Sequence, residues 1–253
     1  MQSFFKNDDS SLKPMQICIP LTGSTPAELQ AEIRAALFAR ADILEWRVDK
    51  LSNININELE ITLETLSALA GATPLLFTWR SHRDGGRYIS DKDYVELLTM
   101  AIKSGNVPLV DVEYSLDNQL IRQLIETARE WDVETVFSYH DFTATPERIY
   151  IIEVLNQMKR FGADVCKVAF MPGEFSDVLN LMSSIDGFAK ANPQLPVIGI
   201  AMGRLGRGTR VCGDLFGSRL TFATVTNGSA PGQLSVEELR QSMRLLGCSP
   251  KDK

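Results

Sequence analysis

The chain is poor in the residues that most often build metal and thiol chemistry. Its 253 residues include two histidines, His82 and His140, and four cysteines, Cys18, Cys166, Cys212 and Cys248. No HExxH motif, paired histidines or cysteine cluster is present, so a zinc site lacks its usual ligand set. So few cysteines in so long a chain do not make a disulfide framework. Cys18 and Cys166 lie inside apolar runs and read as buried, reduced thiols. An excess of positive charge is also missing. The net charge is −6 and there is no basic stripe, which argues against a generic nucleic-acid binder. No run approaches the roughly 18 apolar residues of a membrane-spanning helix. The N-terminus, MQSFFKNDDSSLKP, is polar after Phe5 and lacks the apolar stretch of a signal peptide; residues 1–14 are expected to form a polar extension. A cytoplasmic protein without a membrane partner is the expectation. A GxSxG nucleophile elbow is absent as well.

What is present is alternation. Hydrophobic residues make up 44% of the chain, enough for one sizeable core, and α/β barrels of about 250 residues commonly fold as one domain. Short apolar runs predict strands at Gln16–Leu21, Asp42–Asp49, Pro74–Arg80, Leu109–Tyr114, Glu134–Asp141, Asp164–Phe170, Pro196–Gly203 and Leu220–Val225. An amphipathic segment follows each. Thr25, with Pro26 at the first helical position and Glu28 three residues after the cap, opens a helix over Pro26–Arg40. Ser90 caps Asp91–Lys103, Thr145 caps Pro146–Phe161, and Ser235 with Glu238 caps Val236–Leu246. The glycine-rich segment Gly206–Gly217 is the weakest helical pattern. Eight βα units of about 30 residues predict a closed (β/α)8 barrel of the TIM type, class I aldolase-like, as a single catalytic domain. The alternative, an open doubly wound sheet, favours a GxGxxG turn; the first turn here is PLTGSTP.

Barrel chemistry sits at the C-terminal strand ends, and strand side chains alternate faces. Leu44 and Trp46 should pack against helices, which turns Glu45 and Arg47 inward. The same reasoning turns Arg80, Asp111 with Glu113, Ser138 with His140, and Lys167 into the lumen. Charged side chains are rarely buried without a partner or a job. A structural ion-pair network, Glu45 with Arg47 and Arg80 with Glu113, is one explanation. It accounts less well for a lysine inside VCKVAF, whose ammonium is costly to desolvate, although a lysine reaching the surface from a strand end stays open. A lysine in such a site can be a Schiff-base nucleophile. Its amine must be neutral to attack a carbonyl, and desolvation with Arg47 and Arg80 nearby favours that form. His140 on the next strand could shuttle protons. His82, in SHRDGG, fits a solvated surface loop. Met202 ends strand seven and fits either core or contact.

Two late loops complete the pattern. MGRLGRGTR carries Arg204, Arg207 and Arg210, suited to gripping a carboxylate or phosphate. TNGSAPGQLS, with Ser229 and Gln233, suits a lid with hydrogen-bonding tips, or a flexible connector. The residues alone therefore predict a Schiff-base enzyme for a small hydroxylated anion bearing a ketone or aldehyde. A class I aldolase acting on a sugar phosphate and a non-catalytic barrel binding hydroxylated acids remain rivals.

The segments ILEWRVD, LFTWRS, LVDVEY, FSYHDF, DVCKVAFMP and TVTNGSAPGQLS resemble, in order and spacing, those of type I 3-dehydroquinate dehydratases. The resemblance runs from about Ile17 to Leu246, and the combination of EWR, SYHDF and CKVA is specific. It implies dehydration of 3-dehydroquinate to 3-dehydroshikimate on the shikimate route to chorismate and aromatic amino acids. It also implies a homodimer and no metal or organic cofactor. By the same resemblance Lys167 is the Schiff-base lysine and His140 the general acid/base. Arg210 would hold the substrate carboxylate, and Glu45, Arg47, Arg80, Ser229 and Gln233 would bind substrate hydroxyl and carboxylate groups. Asp49 and Glu113 are expected to be structural support. One departure stands out. Many members have Glu before the GG after the third strand, whereas Asp84 precedes Gly85 and Gly86 here. Being one methylene shorter, Asp84 is not expected to touch the histidine directly.

Overall fold

A computed structural model describes residues 15–225 and 230–247. Strands and helices alternate along it: β1 Gln16–Leu21, α1 Pro26–Phe38, β2 Ile43–Arg47, α2 Ile56–Ala70, β3 Leu75–Thr78, α3 Asp91–Lys103, β4 Leu109–Glu113, α4 Asn118–Glu130, β5 Glu134–Asp141, α5 Arg148–Phe161, β6 Val165–Phe170, α6 Phe175–Ala191, β7 Val197–Ala201, α7 Arg207–Cys212, β8 Leu220–Thr224, the two-residue β9 Leu234–Ser235, and α8 Val236–Leu245. The strands pair in parallel in the order β7-β6-β5-β4-β3-β2-β1-β8-β9. An isolated parallel bridge between Val197 and Ser218, with Arg219 N donating to Val197 O at 2.9 Å, brings β8 back to β7. The eight predicted strands thus form the staves of a TIM-type barrel. Beyond them lies β9, too short for any periodicity to mark it.

The helix starts follow local chemistry. Thr25 accepts from Glu28 N, Ser90 from Asp93 N, and Ser235 and Glu238 form a reciprocal capping box, each satisfying amide donors that a helix start leaves open. The Glu28 carboxylate reaches one residue further back, to Ser24 N at 2.7 Å. The expected Thr145 cap is not used: α5 begins at Arg148 after Glu147, without a side-chain cap. The glycine-rich segment forms only the short α7 and a 3-10 turn over Gly213–Phe216. No helix among the described residues is long and apolar enough to cross a membrane.

Alternation divides the core in two. Leu44, Trp46, Phe77, Val110, Val112, Phe137, Cys166, Val168 and Phe170 face the helices, in one cluster with Leu29, Ile33, Leu98, Leu124 and Leu155. Trp46 and Phe77 meet edge to face, with ring centroids 5.5 Å apart. Burying each such side chain stabilises the fold by about 1.5–3 kcal/mol. The second cluster fills the lumen: Cys18, Ile43, Leu76, Leu109, Val136, Val165, Ile198 and Leu220, with Ala169, Ile200, Met202 and Phe222. This apolar plug keeps the polar groups of the next layer at the C-terminal end of the barrel.

Candidate active site

Above the plug lies a cavity lined by Glu45, Arg47, Arg80, His140, Lys167 and Arg210 among its polar groups. Ala169, Ile200, Met202 and Phe222 form its apolar wall, and Ala230 and Gln233 border it. Every predicted site residue within the described part is therefore at one place; Ser229 lies outside the described residues. Met202 is buried and lines the cavity.

Lys167 is 4% exposed, which removes the reading of a strand-end lysine reaching the surface. Its Nζ stands 3.8 Å from Glu45 Oε1, 3.8 Å from Asp111 Oδ2 and 4.3 Å from the Phe222 ring centroid. The arginines expected beside it are engaged elsewhere. Arg47 grips Asp49 with two bonds, Nε–Oδ1 at 2.7 Å and Nη2–Oδ2 at 2.8 Å. That corrects the expected Glu45–Arg47 pair: the partner lies two residues after Arg47, in the 3-10 turn Val48–Lys50, and Glu45 instead accepts from Thr78 Oγ1 at 3.2 Å. Asp49 also accepts from Arg80 N at 3.3 Å, in keeping with a supporting role.

Arg80 is the centre of a buried network. It donates to Asp111 Oδ2 at 2.8 Å, Glu113 Oε1 at 3.0 Å and Ser138 Oγ at 2.9 Å. The expected Arg80–Glu113 pair is present, and Glu113 also accepts from Ser81 N at 2.8 Å. Asp111, which sequence parity turns inward without assigning a role, accepts from Ser138 Oγ at 2.7 Å. Burial pushes its carboxyl up, and the charges of Arg80 and Lys167 overcome that effect and hold it below the usual carboxylate range.

His140 meets Asp84 directly, against the expectation from chain length. Asp84 Oδ2 lies 3.0 Å from His140 Nδ1 and accepts from His140 N at 3.0 Å, while Oδ1 accepts from Ser115 Oγ at 3.0 Å. The 3-10 turn His82–Asp84 carries the shorter side chain inward. Two glycines let that turn close. Gly85 has φ 81° and a Cβ there would stand 2.5 Å from the Phe142 ring; at Gly86 it would stand 1.9 Å from Arg80 O. Desolvation, then the charges of Arg80 and Lys167, hold the imidazole well below its ordinary pKa. Burial raises the Asp84 carboxyl to about 6, against the opposing pull of Arg80. With Nδ1–H donated to Asp84, a neutral imidazole presents Nε2 as a base. His82 is exposed and sits beside Tyr88, as its loop suggested.

Arg204 and Arg207 are exposed, whereas Arg210 is 1% exposed. Arg210 Nη2 donates to Pro231 O at 3.1 Å, and its Nε has no partner among the described residues. Burial lowers its pKa to about 10, so it stays cationic at neutral pH. The described end of the second loop is docked rather than free: Gly203 N donates to Pro231 O at 3.1 Å and Gln233 N to Ala230 O at 3.4 Å.

The chain as a whole is similar to known proteins. The chain is 41% identical over 246 residues to a 3-dehydroquinate dehydratase of Shouchella clausii, covering 95% of each chain. It is 39% identical over 233 residues to the enzyme of that name from Syntrophotalea carbinolica, covering 91% of this chain and 92% of the relative. The crystal structure of 3-dehydroquinate dehydratase from Geobacillus kaustophilus superposes with a TM-score of 0.89 at 34% identity, over 94% of this chain and 93% of that one. A type I 3-dehydroquinate dehydratase from Clostridium difficile, described with covalently modified comenic acid, superposes with a TM-score of 0.88 at 36% identity, over 92% of each chain. Residues 17–250 match the family model of type I 3-dehydroquinase, and the chain belongs to that family.

Proposed function

We propose that the chain dehydrates 3-dehydroquinate to 3-dehydroshikimate through a Schiff base on Lys167, with His140 moving the protons. The observation that carries this is the neighbourhood of the two groups. β5 and β6 pair Ser138 with Lys167 and His140 with Ala169, so amine and imidazole open into one cavity from adjacent strands, two residues apart in register. Family membership supports the same reading, as does the relative described with covalently modified comenic acid.

The steps are as follows. The Lys167 ammonium passes a proton to His140; the amine, now neutral, attacks the C3 ketone, and His140 returns the proton to expel water from the carbinolamine, leaving an iminium. The iminium is an electron sink and acidifies the C2–H. His140, its Nδ1 held by Asp84, removes that proton through Nε2. The enamine then expels the C1 hydroxyl, to which His140 returns a proton, and water releases the product from Lys167. Covalent catalysis divides one hard elimination into easier steps, and positioned proton transfer contributes about 10²–10⁴-fold. Arg210 meets the substrate carboxylate, since a buried guanidinium with an unpartnered Nε is short of an anion. Of the three arginines in MGRLGRGTR only Arg210 is buried at the cavity, which suits one carboxylate better than the phosphate of an aldolase substrate. Glu45, Arg47, Arg80, Ser229 and Gln233 are proposed to hold the remaining hydroxyl and carboxylate groups. The reaction serves the shikimate route to chorismate.

The test is ultraviolet absorbance on incubation with 3-dehydroquinate. A rising conjugated-enoate band supports the reading. Reversible binding without that band, or turnover of sugar phosphates instead, overturns it.

A further inference from the structure

Asp111 has no part in the steps above, and it does not line the cavity. Yet it is fully buried and reaches two cations at once. Its Oδ2 accepts from Arg80 Nη2 at 2.8 Å and stands 3.8 Å from Lys167 Nζ, while Ser138 Oγ fixes its Oδ1 at 2.7 Å. A carboxylate held on both oxygens cannot follow a moving partner; it marks a fixed place for positive charge. The chemistry at Lys167 needs such a place. An ammonium and a ketone give an iminium and water: the nitrogen forms the bond to carbon, two of its three protons leave with the carbonyl oxygen, and one stays. The charge at that nitrogen is +1 before and after.

From this geometry we infer that Asp111 is a positioning residue, the fixed counter-ion that keeps the Lys167 nitrogen protonated once it is bonded to the substrate carbon. The inference rests on the proposed Schiff base. A neutral imine is a poor electron sink, so losing this charge slows the steps after imine formation and leaves binding largely alone. Glu45 on β2, also 3.8 Å from Nζ, is the other carboxylate. It lines the cavity and is therefore exposed to the substrate, whereas Asp111 sits below it. The other charged or titratable groups around Lys167 are Arg47, Arg80, His140 and Arg210 on the cavity wall and Cys18 from β1. Removing Asp111 leaves all of them in place.

The test compares Asp111→Asn with Ser138→Ala, each checked for folding by thermal unfolding. Asp111→Asn keeps the shape and an acceptor for Arg80 but removes the charge. Ser138→Ala removes two hydrogen bonds of the same cluster and no charge. For Asp111→Asn the alkaline limb of the kcat profile moves to lower pH by about one unit or more, the scale of a lost opposite charge at this range. On the alkaline side of the limb its kcat falls about tenfold for each pH unit the limb moves, because one pH unit there is tenfold in the protonated fraction, and its KM stays near that of the parent. Ser138→Ala leaves the limb in place. A superimposable Asp111→Asn profile, a change confined to KM, or an equal limb shift in Ser138→Ala overturns the inference. Should Asp111→Asn not fold, Asp111→Glu, which retains the charge, must keep the parental limb with a reduced kcat; a shifted limb there overturns it too. Absence of any Lys167 adduct in the unmodified protein would instead defeat the Schiff-base reading, so the two failures are distinguishable.

Discussion

One oxygen of Asp84 engages His140 twice, accepting from its backbone N–H at 3.0 Å and standing 3.0 Å from its Nδ1. The ring is thereby fixed in both position and tautomer, and the strand carrying it is fixed with it. Asp84→Ala should therefore lower kcat by about 10–100-fold, the scale of a lost orienting partner, with KM changed little. Asp84→Glu should recover most of the rate, because it keeps a carboxylate for His140 Nδ1. Steady-state kinetics on both variants decide; a normal kcat in Asp84→Ala rules out the orienting role.

The pH dependence follows from the lowered His140 pKa. The neutral base persists below its ordinary range, so the acid limb of kcat/KM should lie below about 6.5, the reference value for histidine. Stability obeys the same sign. A group with a depressed folded pKa that is neutral when deprotonated supports the fold above about 6.5 and loses that support as pH falls through the folded value. Asp84 acts in the opposite sense, since its carboxyl, raised to about 6, favours the folded state as it takes up a proton. The difference between parent and His140→Gln isolates the histidine: the variant should lose less stability between pH 7.5 and 5. Thermal melts across that range that run parallel for the two proteins would contradict it.

Arg210 is buried, cationic and unpartnered at Nε. Charge-assisted hydrogen bonds contribute about 1.5–3 kcal/mol, so Arg210→Met should raise KM by roughly 10–100-fold and lower kcat less. Removing an uncompensated buried charge costs the empty protein little, so its Tm should hold or rise. A lowered Tm with an unchanged KM would assign Arg210 to the scaffold.

Gly86→Ala should destabilise strongly. The added Cβ would stand 1.9 Å from Arg80 O, and the contact is with backbone, which cannot rotate away. Overpacking of this kind costs about 2–4 kcal/mol, a Tm fall of roughly 5–15 °C for a chain of this size. A Tm within 2 °C of the parent's, roughly the shift of a single kcal/mol in a chain this long, would show that the turn has room to move.

Much of this was legible before any coordinates. Parity along β2, β5 and β6 places Glu45, Arg47, His140 and Lys167 correctly, because side-chain alternation is a local property of a strand. Ser90 and Ser235 cap as expected because capping is also local. What escaped depends on relations between strands. Arg47 could choose Glu45 or Asp49, and the 3-10 turn after β2 decided for Asp49. Asp84 looked too short for His140, but reach is set by where the His82–Asp84 turn puts the backbone, not by methylene count alone. Asp111 was turned inward by parity, yet its approach to Lys167 spans β4 to β6, a distance no single-strand pattern reports.

The most direct measurement is borohydride reduction during incubation with 3-dehydroquinate, followed by peptide mass spectrometry. A substrate-derived adduct confined to the peptide bearing Lys167, and absent from Lys167→Met, is the predicted result. No adduct, or one on a different lysine, would contradict the account.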